Sequence, residues 1–308
     1  MRGRDLLSIS DLTPDELDLL IRTALSMKRD GSRPVLEGQT IAMLFEKPSL
    51  RTRVSFEVGM KQLGGSAIYL SQAEVGLGQR EPVEDVARVL NRYVHGIVAR
   101  TYAQQSLQDL ANAATIPVVN ALSDDEHPCQ ALADLLTVRE KKGRLAGVRI
   151  AFIGDGNNVA ASLALASGLC GADFVIASPE GYSLPKAVLE QAQTWARRTG
   201  GAIDAVVAPE DAVRDADVVY TDVWTSMGQE ASHRARLEAF AGYQVNDALM
   251  ALAKPDAIFM HDLPAHRGEE TVNSVIEGPQ SVVFDQAENR LHAQKALLAV
   301  LMSDEAAT

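Results

Sequence analysis

Two cysteines in 308 residues, Cys129 and Cys170, are too few for a disulfide framework or for the ligand spacing of a zinc module. A basic excess is missing as well. Twenty-nine lysines and arginines face 41 aspartates and glutamates, giving a formal net charge of −12. With a pI near 5.0, the chain is excluded from the general nucleic-acid binders, whose phosphate contacts call for a basic surface. No apolar run reaches the ~20 residues of a membrane span. The opening Met-Arg-Gly-Arg-Asp-Leu-Leu lacks the apolar core of a signal peptide. Repeats and low-complexity segments are also absent, and a soluble cytoplasmic protein is the expectation. What the chain has is 46% hydrophobic residues, enough for a sizeable core in one large or two medium domains.

Those apolar residues are arranged in alternating periods. Thr13-Pro14-Asp15-Glu16 opens a helix, with threonine as cap, proline in the first turn and acids at the positive end. Strand-like runs follow at 41–45, 67–70, 96–100 and 116–119, separated by helical patterns at 53–63, 82–93 and 104–114. A long helix is expected over 129–142. A second series starts at 148–153 and continues with strands at 173–177, 204–207, 217–221, 257–260 and 281–284, before a last helix over 286–302. The alternation predicts an α/β protein with parallel sheets.

Four segments carry chemistry. Phe45-Glu-Lys-Pro-Ser-Leu-Arg-Thr-Arg-Val-Ser-Phe56 sets Ser49, Arg51, Thr52 and Arg53 between a buried strand and an amphipathic helix. A helix N-terminus offers backbone N–H groups and a favourable dipole to an anion, and arginine grips phosphate with paired hydrogen bonds. Alone, the segment fits a capped helix with solvated arginines equally well. His127-Pro-Cys-Gln130 opens the 129–142 helix, with Gln130 one turn on from His127 and Cys129 expected to pack in the core. Asp222-Val-Trp-Thr-Ser-Met-Gly228 follows an apolar strand, where open α/β sheets bind ligands, and its aspartate can hold an ammonium group. Phe259-Met-His-Asp-Leu-Pro-Ala-His-Arg-Gly268 follows another. Arg100 ends the strand Gly96-Ile-Val-Ala99, so it needs a partner or a cleft. A fifth segment, Gly154-Asp-Gly-Asn-Asn158, fits a dinucleotide fingerprint poorly, because the third glycine and a clean ribose-binding acid are both missing. Asn157 is expected to be a turn residue in the left-handed region.

Taken together and in this order, the segments closely resemble the ornithine carbamoyltransferases over essentially the whole chain. The resemblance implies two domains, each with a central parallel sheet flanked by helices, joined by long interdomain helices, with the active site between them. A carbamoyl phosphate domain is expected over 1–142, completed by the C-terminal helix 286–302, and an ornithine domain over 147–285. By resemblance, Ser49, Leu50, Arg51, Thr52, Arg100, His127, Gln130, Leu263 and Arg290 hold carbamoyl phosphate. Asn158, Asp222, Ser226, Met227 and Asp262 hold ornithine, and Arg51, Arg100, His127 and Asp262 serve catalysis. No metal or organic cofactor is implied. Relatives are trimers, so a homotrimer or a multiple of it is expected. The chain departs from the family twice. Asp262 stands where a cysteine is usual. Gly76 stands where many relatives have a glutamine that reaches a neighbouring subunit's phosphate, a contact for which Gln79 or Arg80 are the candidate replacements. Because of Asp262, a carbamoyltransferase for putrescine or a modified ornithine, or a catalytically weak binder of the same ligands, stays open.

Overall fold

The computed structural model describes residues 1–226 and 228–303. The chain divides into two compact units, Met1–Leu136 with the segment from Glu288 onward, and Thr137–Ala287.

In the first unit, four parallel strands, β1 (Thr40–Phe45), β2 (Ser66–Ser71), β3 (Gly96–Arg100) and β4 (Val118–Leu122), lie in the order β2-β1-β3-β4. Helices α1 (Pro14–Asp30), α2 (Leu50–Gln62), α3 (Gln72–Val75), α4 (Val83–Leu90) and α5 (Gln104–Ala113) alternate with them. Strands β1, β3 and β4 are buried nearly end to end, as a sheet covered on both faces requires. Thr13 caps α1 in a reciprocal capping box with Glu16, as its sequence predicts. Helix α6 (Pro128–Lys142) follows β4.

The second unit repeats the scheme. Strands β5 (Arg149–Ile153), β6 (Asp173–Ala177), β7 (Ile203–Val206), β8 (Val218–Tyr220) and β9 (Ile258–Met260) form a parallel sheet in the order β7-β6-β5-β8-β9. Its longer helices are α7 (Asn158–Cys170) and α8 (Lys186–Thr199), with shorter α9 (Pro209–Val213), α10 (His233–Ala239), α11 (Asp247–Met250) and α12 (Asn273–Ile276). Its core gathers Ile153, Val175, Val219, Phe259 and the stacked rings of Trp224 and Phe240, 5.5 Å apart. The last helix is α13 (Val283–Met302), and the boundaries between units fall inside α6 and α13.

One expected strand is not there. Of 281–284, Ser281 makes a single bridge to Phe259 and Val283 already begins α13. The β-branched pair Val282-Val283 gives a strand-like local signal, yet Gln286 N–H bonds back to the Val282 carbonyl at 2.8 Å, closing a helical turn. Helix-scale tertiary packing overrides a short propensity run.

In both sheets the chain winds one way from a first strand and then the other. The reversal lies between β1 and β3 in the first unit and between β5 and β8 in the second. Such reversal points open a crevice at the strands' C-terminal ends, where doubly wound sheets bind ligands.

Candidate active site

The first crevice is basic. After β1, Ser49 adopts an extended conformation and caps α2, its Oγ accepting from the Thr52 N–H at 3.3 Å and bonding the Thr52 hydroxyl at 3.0 Å. This fixes the first turn, which carries an exposed Leu50, a half-buried Arg51 and a buried Thr52. Arg53 turns out of the cluster. It pairs with Glu57 at 2.9 Å and lies over the Tyr69 ring at 3.9 Å, as a helix-surface charge does. Arg100, at the end of β3, is 8% exposed, and His127, just before α6, is 3% exposed. Arg290 of α13 donates to Gln130 Oε1 at 2.6 Å and to Thr52 Oγ1 at 3.1 Å, tying together three residues that the sequence separates widely. Gln130 in turn donates to Asp134 at 2.8 Å.

Burial, and then the charges of Arg290, Arg100 and Arg51, hold the His127 imidazole well below its ordinary range. At neutral pH this ring is uncharged. It can donate one hydrogen bond to a carbonyl without adding a fourth positive charge. Two acids that sequence reading missed brace the cluster. Glu126, beside His127, accepts from the Ile9 N–H at 3.0 Å and from the Ser8 hydroxyl, anchoring the loop to the N-terminus. Asp124 pairs with the buried Lys47. Neither residue type carries a signal of that role in sequence, because both partners are remote. Cys129 packs inside as expected, and burial pushes its thiol up to about 12. Gly76 caps the C-terminus of α3 at φ 60°, and the Gln79 and Arg80 N–H groups both bond back to its carbonyl at 2.8 Å. A left-handed cap is a sufficient physical reason for glycine there.

The second crevice is acidic. After β5, Asn157 is an extended N-cap (φ −78°, ψ −171°), not the left-handed turn residue expected. Its Oδ1 accepts from the Val159 and Ala160 N–H groups, a better use of the side chain than a turn. Its amide donates to Asp222 Oδ2 at 2.7 Å across the reversal point. Asn158 follows, half-buried in the first turn of α7. Asp222 is buried after β8, with its Oδ1 accepting from the Val223 N–H at 2.6 Å. Ser226 is half-buried, its N–H donating to Gln229 at 3.2 Å. Met227 lies outside the described residues. Arg236 steadies this segment by donating to Asp155 at 2.7 Å and to the Trp224 carbonyl at 2.8 Å, a contact that sequence did not announce.

Asp262 and Leu263 follow β9. A donor atom from each of Asp222, His261 and Asp262 lies within 4.8 Å of the others, a set that suits an ammonium group or a divalent cation. Burial and then the facing Asp262 carboxylate push Asp222 well above its ordinary range. His261 is fully buried. Its Nε2 meets Glu270 Oε1 at 3.0 Å, and its Nδ1 lies 2.9 Å from the Leu263 nitrogen and 3.4 Å from Asp262 Oδ1. Burial disfavours the charged ring, but hydrogen bonds to Asp262 and Glu270 and the Asp222 charge outweigh it and raise His261. Leu263 is held at φ 60°, an uncommon conformation for a side chain of its size.

Gly156 answers the dinucleotide question. A Cβ there would sit 2.3 Å from Leu184 N and 2.4 Å from the Ser183 carbonyl carbon. The close approach of the chain's own 183–184 backbone is a sufficient reason for glycine there, without a dinucleotide.

Comparison with known proteins follows the same division. Residues 4–140 match the family described as "Aspartate/ornithine carbamoyltransferase, carbamoyl-P binding domain", and residues 146–301 match "Aspartate/ornithine carbamoyltransferase, Asp/Orn binding domain". The chain is 53% identical over 306 residues to an ornithine carbamoyltransferase of Thermococcus kodakarensis, covering 98% of this chain and 97% of that one. It is also 53% identical over 306 residues to the ornithine carbamoyltransferase of Pyrococcus furiosus named as anabolic, covering 98% and 97%. A solved structure of the Pyrococcus furiosus enzyme superposes with a TM-score of 0.95 at 52% identity, covering 99% of each chain.

Proposed function

The chain belongs to the aspartate/ornithine carbamoyltransferase family, and from that premise we propose that it transfers the carbamoyl group of carbamoyl phosphate to the δ-amino group of L-ornithine, giving L-citrulline and phosphate. One observation carries this reading beyond the family name. A single chain holds a cationic crevice around a neutral histidine and an anionic crevice around a carboxylate pair, the charges that a phosphate donor and an ammonium-bearing acceptor require.

Residues 1–142 with 286–302 form the carbamoyl phosphate domain of this reading, and 147–285 the ornithine domain. Arg51, with Ser49, Leu50, Thr52 and Arg290, takes the phosphoryl end. Arg100, His127 and Gln130 take the carbamoyl oxygen, and the family resemblance assigns Leu263 to the same ligand. Asn158 takes the amino-acid end of ornithine, Asp222 can hold an ammonium group, Asp262 lies at the attacking amine, and Ser226 and Met227 complete the ornithine set. The amine must shed a proton before it attacks. Its lone pair then adds to the carbonyl carbon, the carbonyl electrons move to oxygen, and the oxyanion is met by Arg100, His127 and Thr52. Collapse breaks the bond from the carbonyl carbon to the phosphoryl oxygen and expels phosphate, which takes the proton that the attacking nitrogen gives up, and Arg51 stabilises the phosphate's charge. No bond to the enzyme forms. The acceleration comes from positioning and from dipoles aimed in advance at the developing charge.

The anabolic relative supports a place in arginine synthesis. Cytoplasmic residence is our reading, supported by the chain's two free cysteines and by the absence, among the described residues, of a helix long and apolar enough to cross a membrane. A homotrimer is supported by the exposed apolar side chains Leu50, Val54 and Val58, at i, i+4 and i+8 on α2, and by the exposed Ile68 of edge strand β2. Gln79 or Arg80 would then reach the neighbouring subunit's phosphate.

A colorimetric citrulline assay with carbamoyl phosphate against a panel of amines tests the function. Ornithine should be preferred over putrescine by about a hundredfold or more, since losing the carboxylate strands buried polar groups. Equal rates with putrescine would make the protein a different carbamoyltransferase, and absence of turnover would make it a binder.

A further inference from the structure

We propose that His266, Glu269 and Glu270 form a divalent-cation site, suited to zinc or manganese and distinct from the Asp222–Asp262 crevice. One donor atom from each of the three lies within 4.8 Å of the others. Glu270 is fully buried, and one of its oxygens, Oε1, accepts from His261 Nε2 at 3.0 Å and from the His266 backbone N–H at 2.5 Å. Its other oxygen, Oε2, is buried with no hydrogen-bond partner among the described residues, and the same holds for Glu269 Oε2. Two buried carboxylate oxygens without donors, side by side in sequence, form an arrangement that proteins avoid unless something positive meets them.

The spacing agrees. His266 Nδ1 and Glu269 Oε2 are 3.6 Å apart, too far for a hydrogen bond. That separation is close to the ~3.4 Å between two ligands of a tetrahedral ion bound at about 2.0–2.1 Å. The other oxygen of Glu269 faces His233 Nε2 at 3.7 Å. The turn itself is braced from several sides. The Gly268 N–H donates to the Thr271 carbonyl at 2.7 Å, the Glu269 N–H to the His266 carbonyl at 2.9 Å, and Gln244 to the carbonyls of Gly268 and Glu269 at 2.9 and 2.8 Å. A braced turn holds its donors ready for an ion. One imidazole with two carboxylates favours a first-row divalent ion over calcium or magnesium, which prefer oxygen alone. Since Glu270 also holds His261, an ion here would fix that ring and, through the closeness of its Nδ1 to Leu263 and Asp262, the loop bearing Asp262.

Equilibrium dialysis of the full chain against Zn²⁺ or Mn²⁺, with bound metal read by elemental analysis, tests the proposal. The expected result is one ion per chain, with affinity weakened by about tenfold or more in His266→Ala and Glu269→Gln and unchanged in Asp222→Asn. His266 is exposed and Glu269 partly so, and circular dichroism checks that both variants fold. Absence of binding at millimolar metal, or binding weakened by Asp222→Asn and not by Glu269→Gln, would overturn it. The second outcome would place the ion on Asp222, His261 and Asp262 instead.

Discussion

His127 and His261 are both buried at the C-terminal end of a parallel sheet, yet their surroundings push them in opposite directions. His127 stands among Arg51, Arg100 and Arg290 and is held down. His261 stands among Asp222, Asp262 and Glu270 and is raised to about 10. Burial disfavours charge on either ring, so the neighbours make the difference. The two halves of the chain use one architecture, an α/β crevice at a strand reversal, and fill it with opposite charge. Each half concentrates like charges that repel until a ligand arrives. Such sites are expected to be less stable and more reactive than their surroundings.

The comparison breaks most sharply at Arg51. Arg51→Ala should keep the fold and lower kcat/KM by about thirtyfold or more, since a charge-assisted contact in a desolvated site is worth roughly 2–3 kcal/mol. Turnover within about threefold of wild type would remove Arg51 from the phosphate site.

Asp222→Asn separates function from stability. The ornithine rate should fall at least about tenfold, while the protein becomes more stable by about 1 kcal/mol at neutral pH. The sign follows from linkage. A carboxyl whose folded pKa is raised favours folding below its unfolded value near 3.8 and loses that contribution as pH rises through the folded value. Removing the ionised group therefore helps at neutral pH and not in acid. Chemical denaturation of both proteins across pH decides it, and a destabilised Asp222→Asn at neutral pH would mean that the hydrogen bond from Asn157 outweighs the repulsion.

On the other side, His127 is depressed, so the unfolded chain takes up a proton below about 6.5 while the folded chain resists. Stability should fall as the solution is acidified through that window, with His127 contributing up to about 1.4 kcal/mol per pH unit. His127→Gln should flatten that slope, and an unchanged slope in a denaturant titration would place a charged imidazole there.

The smallest expected effect is at Asp262. Asp262→Cys should retain activity within about tenfold and move the pH profile to the alkaline side, since a thiol carries its charge only at higher pH than a carboxylate. Asp262→Asn should lose more, because a neutral amide cannot make the same charge-assisted bond. Identical pH–rate profiles for all three would show that the group does not face the amine.

Much of this was legible in sequence because it is local. Strand and helix periods located eight of the nine strands among the described residues within about two residues, and the cap at Ser49 and the helix that follows it were visible in the spacing, although spacing alone left an anion site and a simple capped helix equally open. β4 showed its ladder at 118–122 where 116–119 was expected, a boundary shift of the usual size. Long-range pairings were not legible. Nothing in the Asn157 segment points to a bond with Asp222, 65 residues away, or in Glu126 to a contact with Ile9. Arg53 misled through composition, since its sequence neighbours suggested a phosphate ligand and its helical position gave it Glu57 instead. Gly76 and Gly156 drew ligand-based readings, while a left-handed cap and a close backbone approach explain them.

The claim that the two crevices are charged for different ligands is tested most directly by calorimetric titration of inorganic phosphate into the wild type, Arg51→Ala and Asp222→Asn at neutral pH. The account predicts binding to Asp222→Asn within about twofold of wild type and a loss of about thirtyfold or more in Arg51→Ala. Phosphate binding that survives Arg51→Ala, or that Asp222→Asn weakens as much, would contradict it.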